Sequence, residues 1–265
     1  MYSIEQVSND LQTPDTGRGT FAGGLRKADA KNPHLLLLMG ETGIGKTRLA
    51  EELSHDAHTR SWAVAWTRAY EQEGAVPYRP WVELLRMLLK NISTGMLVSS
   101  VGSRSHTESL VSIHYIPTIL ERLSTLLPEL RNLLPQNDRT HAPYPHYSQL
   151  PPEQERLHQW EATLELLNIL SKTTPLLLVL DDLHWMDESS RELLAYLTRH
   201  IQDQRILLLG TCRDVELAPG DTLLKLITDL RREQAVVTLP VQPLTQSQIG
   251  SLVAHLPQDI VHSIQ

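Results

Sequence analysis

The chain has 265 residues, 41% of them hydrophobic, and 24 Lys and Arg against 31 Asp and Glu give it a net charge of −7. Such a chain can form one large α/β domain and the start of a second, while its acidity and its lack of a Lys/Arg-dense stripe argue against nucleic-acid binding. One cysteine, Cys212, excludes an intramolecular disulfide framework, no apolar run reaches membrane-spanning length, and the N-terminus lacks a targeting pattern, so a cytoplasmic location without membrane contact is expected.

Residues 1–30 are rich in Ser, Asn, Thr, Asp and Gly without periodicity and read as an irregular segment. From His34 to Leu53 the sequence HLLLLMGETGIGKTRLAEEL reads as a buried strand, a Gly-rich turn and a helix. Trp62–Thr67 suits a second strand, and Glu71–Pro80 a Gly/Pro-punctuated loop. Trp81, Leu84, Leu85, Leu88 and Leu89 then mark one face of a helix. Helical periodicity returns at Ile119, Leu123, Leu126, Leu127 and Leu130, and Asn137–Tyr147 is a Pro/His-rich loop.

Pro151 and Pro152 open a helix that ends before Pro175 and feeds the aliphatic strand Leu176–Leu180, which terminates in Asp181 and Asp182. Asp187 is the expected N-cap of a helix whose Leu193, Leu194, Leu197 and Ile201 face inward. Ile206–Cys212 is the next strand, with Arg213 at its carboxyl end. Residues 222–233 read as helix, Val236–Leu239 as a short strand, and Thr245 with Gln248 as the capping box of a last amphipathic helix. Strands alternating with helices predict an α/β fold with an open parallel sheet flanked by helices, whose ligands sit beyond the carboxyl ends of the strands.

Gly40–Thr47 spells Gly-x-x-x-x-Gly-Lys-Thr between a strand and a helix, the context a phosphate-binding loop requires. Backbone N–H groups of Gly40, Glu41, Thr42, Gly43, Ile44, Gly45, Lys46, Thr47 and Arg48 would curl round a phosphate, helped by the positive end of the helix. Lys46 would reach the β- and γ-phosphates, and Thr47 would place its hydroxyl on Mg²⁺. Asp181 would join Thr47 as a metal ligand, directly or through water. Asp182 would orient or deprotonate a water attacking the γ-phosphate; the alternative for the pair is a turn cap after a strand. Two readings stand for Arg213: a sensor of the γ-phosphate, or a surface partner of Asp214 or Glu216. His184 and Trp185 are read as packing residues rather than as couplers to a neighbour. His141 and His146 lack metal-ligand companions, and Cys212 is read as inert core.

Read together, GETGIGKTRLAEEL, YEQEGAVPYRPW, LLLVLDDLHWMDESS, LLLGTCRDVEL and VTLPVQPLT resemble the STAND-class, Orc1-like AAA ATPase domain of large bacterial LuxR-family regulators, also found fused to adenylate cyclase or protein kinase modules. The resemblance runs from about Leu35 to Val253. It implies a P-loop NTPase fold of the additional-strand type, with the Asp strand next to the phosphate-loop strand. It also implies a Walker A motif at Gly40, Gly45, Lys46 and Thr47, a Walker B pair at Asp181 and Asp182, and a sensor arginine at Arg213. Family members act as nucleotide-controlled switches that assemble when ATP-bound and hydrolyse slowly.

Two departures are visible. Phe21–Leu25 reads FAGGL where the family has an apolar-Gly-Arg-x-x-Glu motif, so discrimination between ATP and GTP is expected to be poor. The chain also ends near the first lid helix, as a truncated or split member would. The expected domains are an irregular segment at 1–30, a P-loop ATPase domain at 31–240 and the start of a helical lid at 241–265. The expected ligands are ATP or ADP with Mg²⁺, and the expected partner is a second copy or a regulatory protein. The expected function is an ATP-binding, slowly ATP-hydrolysing regulatory switch; a nucleotide-binding scaffold without turnover is the alternative. A small-molecule kinase is disfavoured by the placement of Asp182 and Arg213, and origin-type DNA binding by charge and the lack of a helix-turn-helix.

Overall fold

The computed structural model describes residues 34–71, 76–91, 118–133, 151–201, 204–213 and 221–243. The expected irregular segment at 1–30, the Pro/His-rich loop with His141 and His146, and the capping box at Thr245 and Gln248 lie outside those residues. The elements along the chain are β1 (Leu35–Gly40), α1 (Lys46–Thr59), β2 (Ala63–Arg68), α2 (Arg79–Asn91), α3 (Pro152–Thr173), β3 (Leu176–Asp181), α4 (Glu188–His200), β4 (Ile206–Arg213), α5 (Thr222–Arg232) and β5 (Val236–Pro240), alternating strand and helix except for the successive helices α2 and α3 between β2 and β3. Short 3₁₀ turns cover Pro128–Leu133 and Leu183–Trp185.

The five strands form one sheet in the order β2-β3-β4-β1-β5, and every pairing is parallel. Period-2 alternation sends Leu35, Leu37, Leu176, Leu178 and Leu208 to one face and Leu36, Leu38, Leu177, Val179 and Leu209 to the other. The first face is covered by side chains of α2, α3, α4 and α5, such as Leu84, Leu167, Leu193 and Ile227; the second by Ala50, Leu53 and Ala57 of α1. Helices on both faces explain why these strands are continuous leucine runs rather than alternating ones. Each fully buried leucine contributes about 1.5–3 kcal/mol.

Two helices differ from their sequence-based bounds. The phosphate-loop helix continues past Leu53 to Thr59, because Ala57 prolongs the buried face of Ala50 and Leu53. Helix α2 begins at Arg79, so Pro80 stands inside its first turn, where a missing N–H costs nothing.

Strand order corrects one expectation. The Asp strand β3 does not lie next to the phosphate-loop strand β1: β4 runs between them and pairs with both. Close packing supports this central position. A Cβ on Gly210 of β4 would come within 2.6 Å of Leu183 Cδ1 and 3.0 Å of Leu37 Cδ1, so side chains from both neighbouring segments close over that glycine. The register aligns the carboxyl ends: Gly40 is opposite Arg213, and Arg68 is opposite Asp181. With neighbouring strands about 4.8 Å apart, β1 and β3 are separated by roughly 9–10 Å, and that interval forms the floor of the site.

Candidate functional site

At the carboxyl end of β1 the chain turns through Gly40–Gly45 into α1. Gly43 and Gly45 adopt left-handed φ angles of 78° and 105°, which favour glycine, and a Cβ built on either meets no heavy atom within 4 Å. Backbone angle therefore selects glycine here, and the absent side chains leave open space over the loop. Gly45 is the N-cap of α1 without a side-chain cap, so the first N–H groups of a 14-residue helix start at this loop. A concave backbone with free space above it and a helix N-terminus beneath it suits a phosphate group.

Lys46, the first residue of α1, is 6% exposed, and its Nζ donates to Gly40 O at 2.8 Å and Glu41 O at 2.7 Å. The ammonium thus lies inside the curl of the loop. Thr47 turns its hydroxyl toward the sheet, donating to Asp181 at 3.2 Å from Oδ1 and 3.3 Å from Oδ2. These two residues are 134 positions apart, joined because α1 packs over the sheet and β3 ends beneath its first turn. Arg48 behaves differently: its guanidinium pairs with Glu51 and Glu52 along the exposed surface of α1. Any part it takes in holding a phosphate would come from its backbone.

Asp181 is 1% exposed and held from three sides. Thr211 Oγ1, from the neighbouring β4, donates to Oδ1 at 2.6 Å, and Arg68 Nε, from β2 on the other side, donates to Oδ2 at 2.8 Å, with Thr47 above. The same Thr211 Oγ1 accepts from the Asp182 N–H at 2.9 Å, so one hydroxyl ties both aspartates. Asp182 adopts φ 61° and ψ 51°, a left-handed conformation that an aspartate tolerates better than most residues, and the chain leaves the sheet there. Its carboxylate lies 3.6 Å from Arg68 Nε. The hydrogen bond to Asp181, followed by the attraction of both carboxylates, raises the Arg68 pKa, so that guanidinium is firmly charged.

Sequence reasoning missed Arg68 and Thr211. The available signals were an arginine just past an apolar strand and one hydroxyl inside the aliphatic run ILLLGTC. Among the remaining expectations, Asp187 does cap α4, accepting from Ser190 N at 2.9 Å. His184 and Trp185 pack against each other with ring centroids 5.0 Å apart. Cys212 is fully buried, and burial pushes its thiol up to about 12, so it is held as a neutral core residue.

The sheet edge thus gathers Gly40, Lys46, Thr47, Asp181, Asp182 and Arg213, with Arg68 and Thr211 added. The Thr47 hydroxyl and the Asp181 carboxylate are hard oxygen donors, the type Mg²⁺ prefers. Among the described residues no group of three or more His, Cys, Asp or Glu forms a metal cage, so a cation here would complete its shell with water and phosphate oxygens.

The family model of the AAA ATPase domain, within the P-loop NTPase superfamily, matches residues 19–209, more than half of the chain. No curated protein matches the chain. A chain in the solved structure of the E. coli MS115-1 HORMA:CdnC:Trip13 complex is similar at 14% identity and a TM-score of 0.39, over 98% of this chain and 70% of that one. The chain belongs to the AAA ATPase domain family, and its α/β P-loop NTPase fold accords with that membership.

Proposed function

From that membership, we propose that the chain binds ATP with Mg²⁺ at the carboxyl edge of the sheet and hydrolyses it slowly as a regulatory switch. The observation that carries the reading is the Thr47–Asp181 contact beneath an open Gly-rich loop, because it joins a phosphate cradle to a metal-suited oxygen pair across 134 residues. Backbone N–H groups of Gly40–Arg48 would hold the phosphates, and Lys46 would exchange the loop carbonyls for the β- and γ-phosphate oxygens. Thr47 and Asp181 would hold the cation. Magnesium, when bound, neutralises charge on the phosphate oxygens. Asp182 orients the attacking water and accepts its proton, and Arg213, level with Gly40, senses the γ-phosphate.

The domain reading follows: an ATPase domain at 31–240, preceded by a segment at 1–30 and followed at 241–265 by the start of a lid. Its signalling role and its assembly with a second copy or a regulatory partner rest on the likeness to STAND-class ATPases of LuxR-family regulators. The second reading, binding without turnover, is favoured by the engagement of Asp182 with Arg68, at 3.6 Å, which competes with a water for that carboxylate.

Calorimetry and phosphate release test both readings. Lys46→Ala should abolish or strongly weaken ATP binding. Asp182→Asn should keep binding and lose turnover, whereas Asp181→Asn should also alter the Mg²⁺ dependence. Equal ATP affinity in wild type and Lys46→Ala overturns the site. Phosphate release in wild type no higher than in Asp182→Asn leaves the scaffold reading.

A further inference from the structure

We infer that Arg68 is a resident counter-cation of Asp181, which must leave that carboxylate when metal and nucleotide bind and thereby sets how strongly nucleotide binding depends on the metal. The inference rests on the proposed Mg·ATP reading and adds to it a residue outside the loop and the Asp pair.

The Asp181 side chain is wholly enclosed, with 0% exposure, and a buried carboxylate requires a compensating positive charge. Arg68 supplies it. Its Nε donates to Asp181 Oδ2 at 2.8 Å, its Nη2 donates to the same oxygen, and Nη2 also lies 3.5 Å from Thr47 Oγ1. The guanidinium therefore touches both groups assigned to the metal. Parallel register builds this in, because Arg68 is directly opposite Asp181 on the adjacent strand.

A guanidinium and a divalent cation cannot both use Asp181 Oδ2 and the Thr47 hydroxyl: each would block the other's approach, and their charges repel. Arg68 has somewhere to go. Its side chain is 39% exposed, its Nε is already 3.6 Å from Asp182 Oδ2, and a small cleft lined by Tyr70, Arg79, Trp185 and Asp187 opens beside it. Retreat into that cleft takes the guanidinium off Asp181 Oδ2 without leaving the strand ends, and leaves the Asp182 carboxylate to the water proposed for it. Without metal, Arg68 also shields an incoming triphosphate from the Asp181 charge. Removing it should therefore weaken metal-free binding and spare metal-dependent binding, which no longer has a competitor to displace.

The test is calorimetric titration of ATP into the full chain, once with EDTA and once with Mg²⁺, read as the ratio of the two dissociation constants. Arg68→Met should raise that ratio on the order of tenfold or more, chiefly by weakening binding in EDTA, the scale of one charged hydrogen bond. Adding Asp181→Asn to Arg68→Met should bring the ratio back down, since no bare carboxylate remains. If Arg68→Met does not fold, Arg68→Lys, which keeps the charge but loses the paired donors, should raise the ratio less. An unchanged ratio in the folded variant would mean a merely structural ion pair, and equal weakening under both conditions would mean direct contact with phosphate; either overturns the inference. Failure of wild type to bind ATP even with Mg²⁺ overturns the Mg·ATP reading itself.

Discussion

Thr211 offers a quantitative check on the geometry that ties the two aspartates together. It is fully buried within β4, donates to Asp181 Oδ1 at 2.6 Å and accepts from the Asp182 N–H at 2.9 Å. Thr211→Val preserves volume and opens no cavity, so the change isolates those two hydrogen bonds. A bond to a charged acceptor contributes about 1.5–3 kcal/mol, and an orphaned buried N–H costs about 1–3 kcal/mol. The Asp182 amide is only partly buried and both bonds share one hydroxyl, which places the sum at roughly 2–4 kcal/mol. Thr211→Ser keeps the hydroxyl and loses one methyl, a cost of about 1 kcal/mol. Urea denaturation should thus rank wild type, Ser and Val in falling order of midpoint. A valine variant as stable as the serine variant would refute the claim that this hydroxyl holds the Asp pair.

Arg213→Ala should lose ATP affinity on the order of tenfold to a hundredfold with ADP affinity nearly unchanged, since a charged hydrogen bond to the γ-phosphate is worth about 1.5–3 kcal/mol; parallel ATP and ADP titrations with equal effects on both would end the sensor role. Gly45→Ala, at φ 105°, should destabilise the fold by only about 1–2 kcal/mol yet weaken ATP binding strongly, because the new methyl enters the open space over the loop. Unaltered calorimetric affinity would refute that use of the loop. Cys212 carries a pH signature. Its thiol is raised by burial from an ordinary 9.0 to about 12, so above pH 9 the unfolded chain releases a proton that the folded chain keeps. Its contribution is fully present below pH 9 and declines toward pH 12, by about 1.4 kcal/mol per unit. The stability advantage of wild type over Cys212→Ala in urea should shrink across that window, and an advantage that stays constant would contradict the burial.

Local features were legible in the sequence. The aliphatic runs at Leu35–Leu38 and Leu176–Leu180, the Gly-rich loop and the Asp187 cap each carry their information within a few residues, where periodicity and turn chemistry act. Arg68 and Thr211 reach Asp181 from 113 and 30 positions away, and nothing local says which strand will lie beside which. A lone arginine after an apolar strand reads as a solvated end, and a lone threonine in a leucine run as a tolerated core hydroxyl. Both gain meaning only once strand order is known.

Strand order also explains how one carboxylate can be both buried and useful. Had β3 paired directly with β1, Asp181 would stand immediately beside the loop, and its neighbour on that side would be β1, whose sequence LLLLMG has no hydroxyl to offer. With β4 between them, Thr211 approaches Asp181 from one flank and Arg68 of β2 from the other, and Thr47 closes from above. The carboxylate is therefore oriented by fixed hydrogen-bond partners rather than by water, which lowers the reorganisation needed when charge builds up nearby. Of these partners only Arg68 reaches Asp181 through a side chain that is 39% exposed and has a second carboxylate 3.6 Å away, which is why it is the one proposed to give way to a metal.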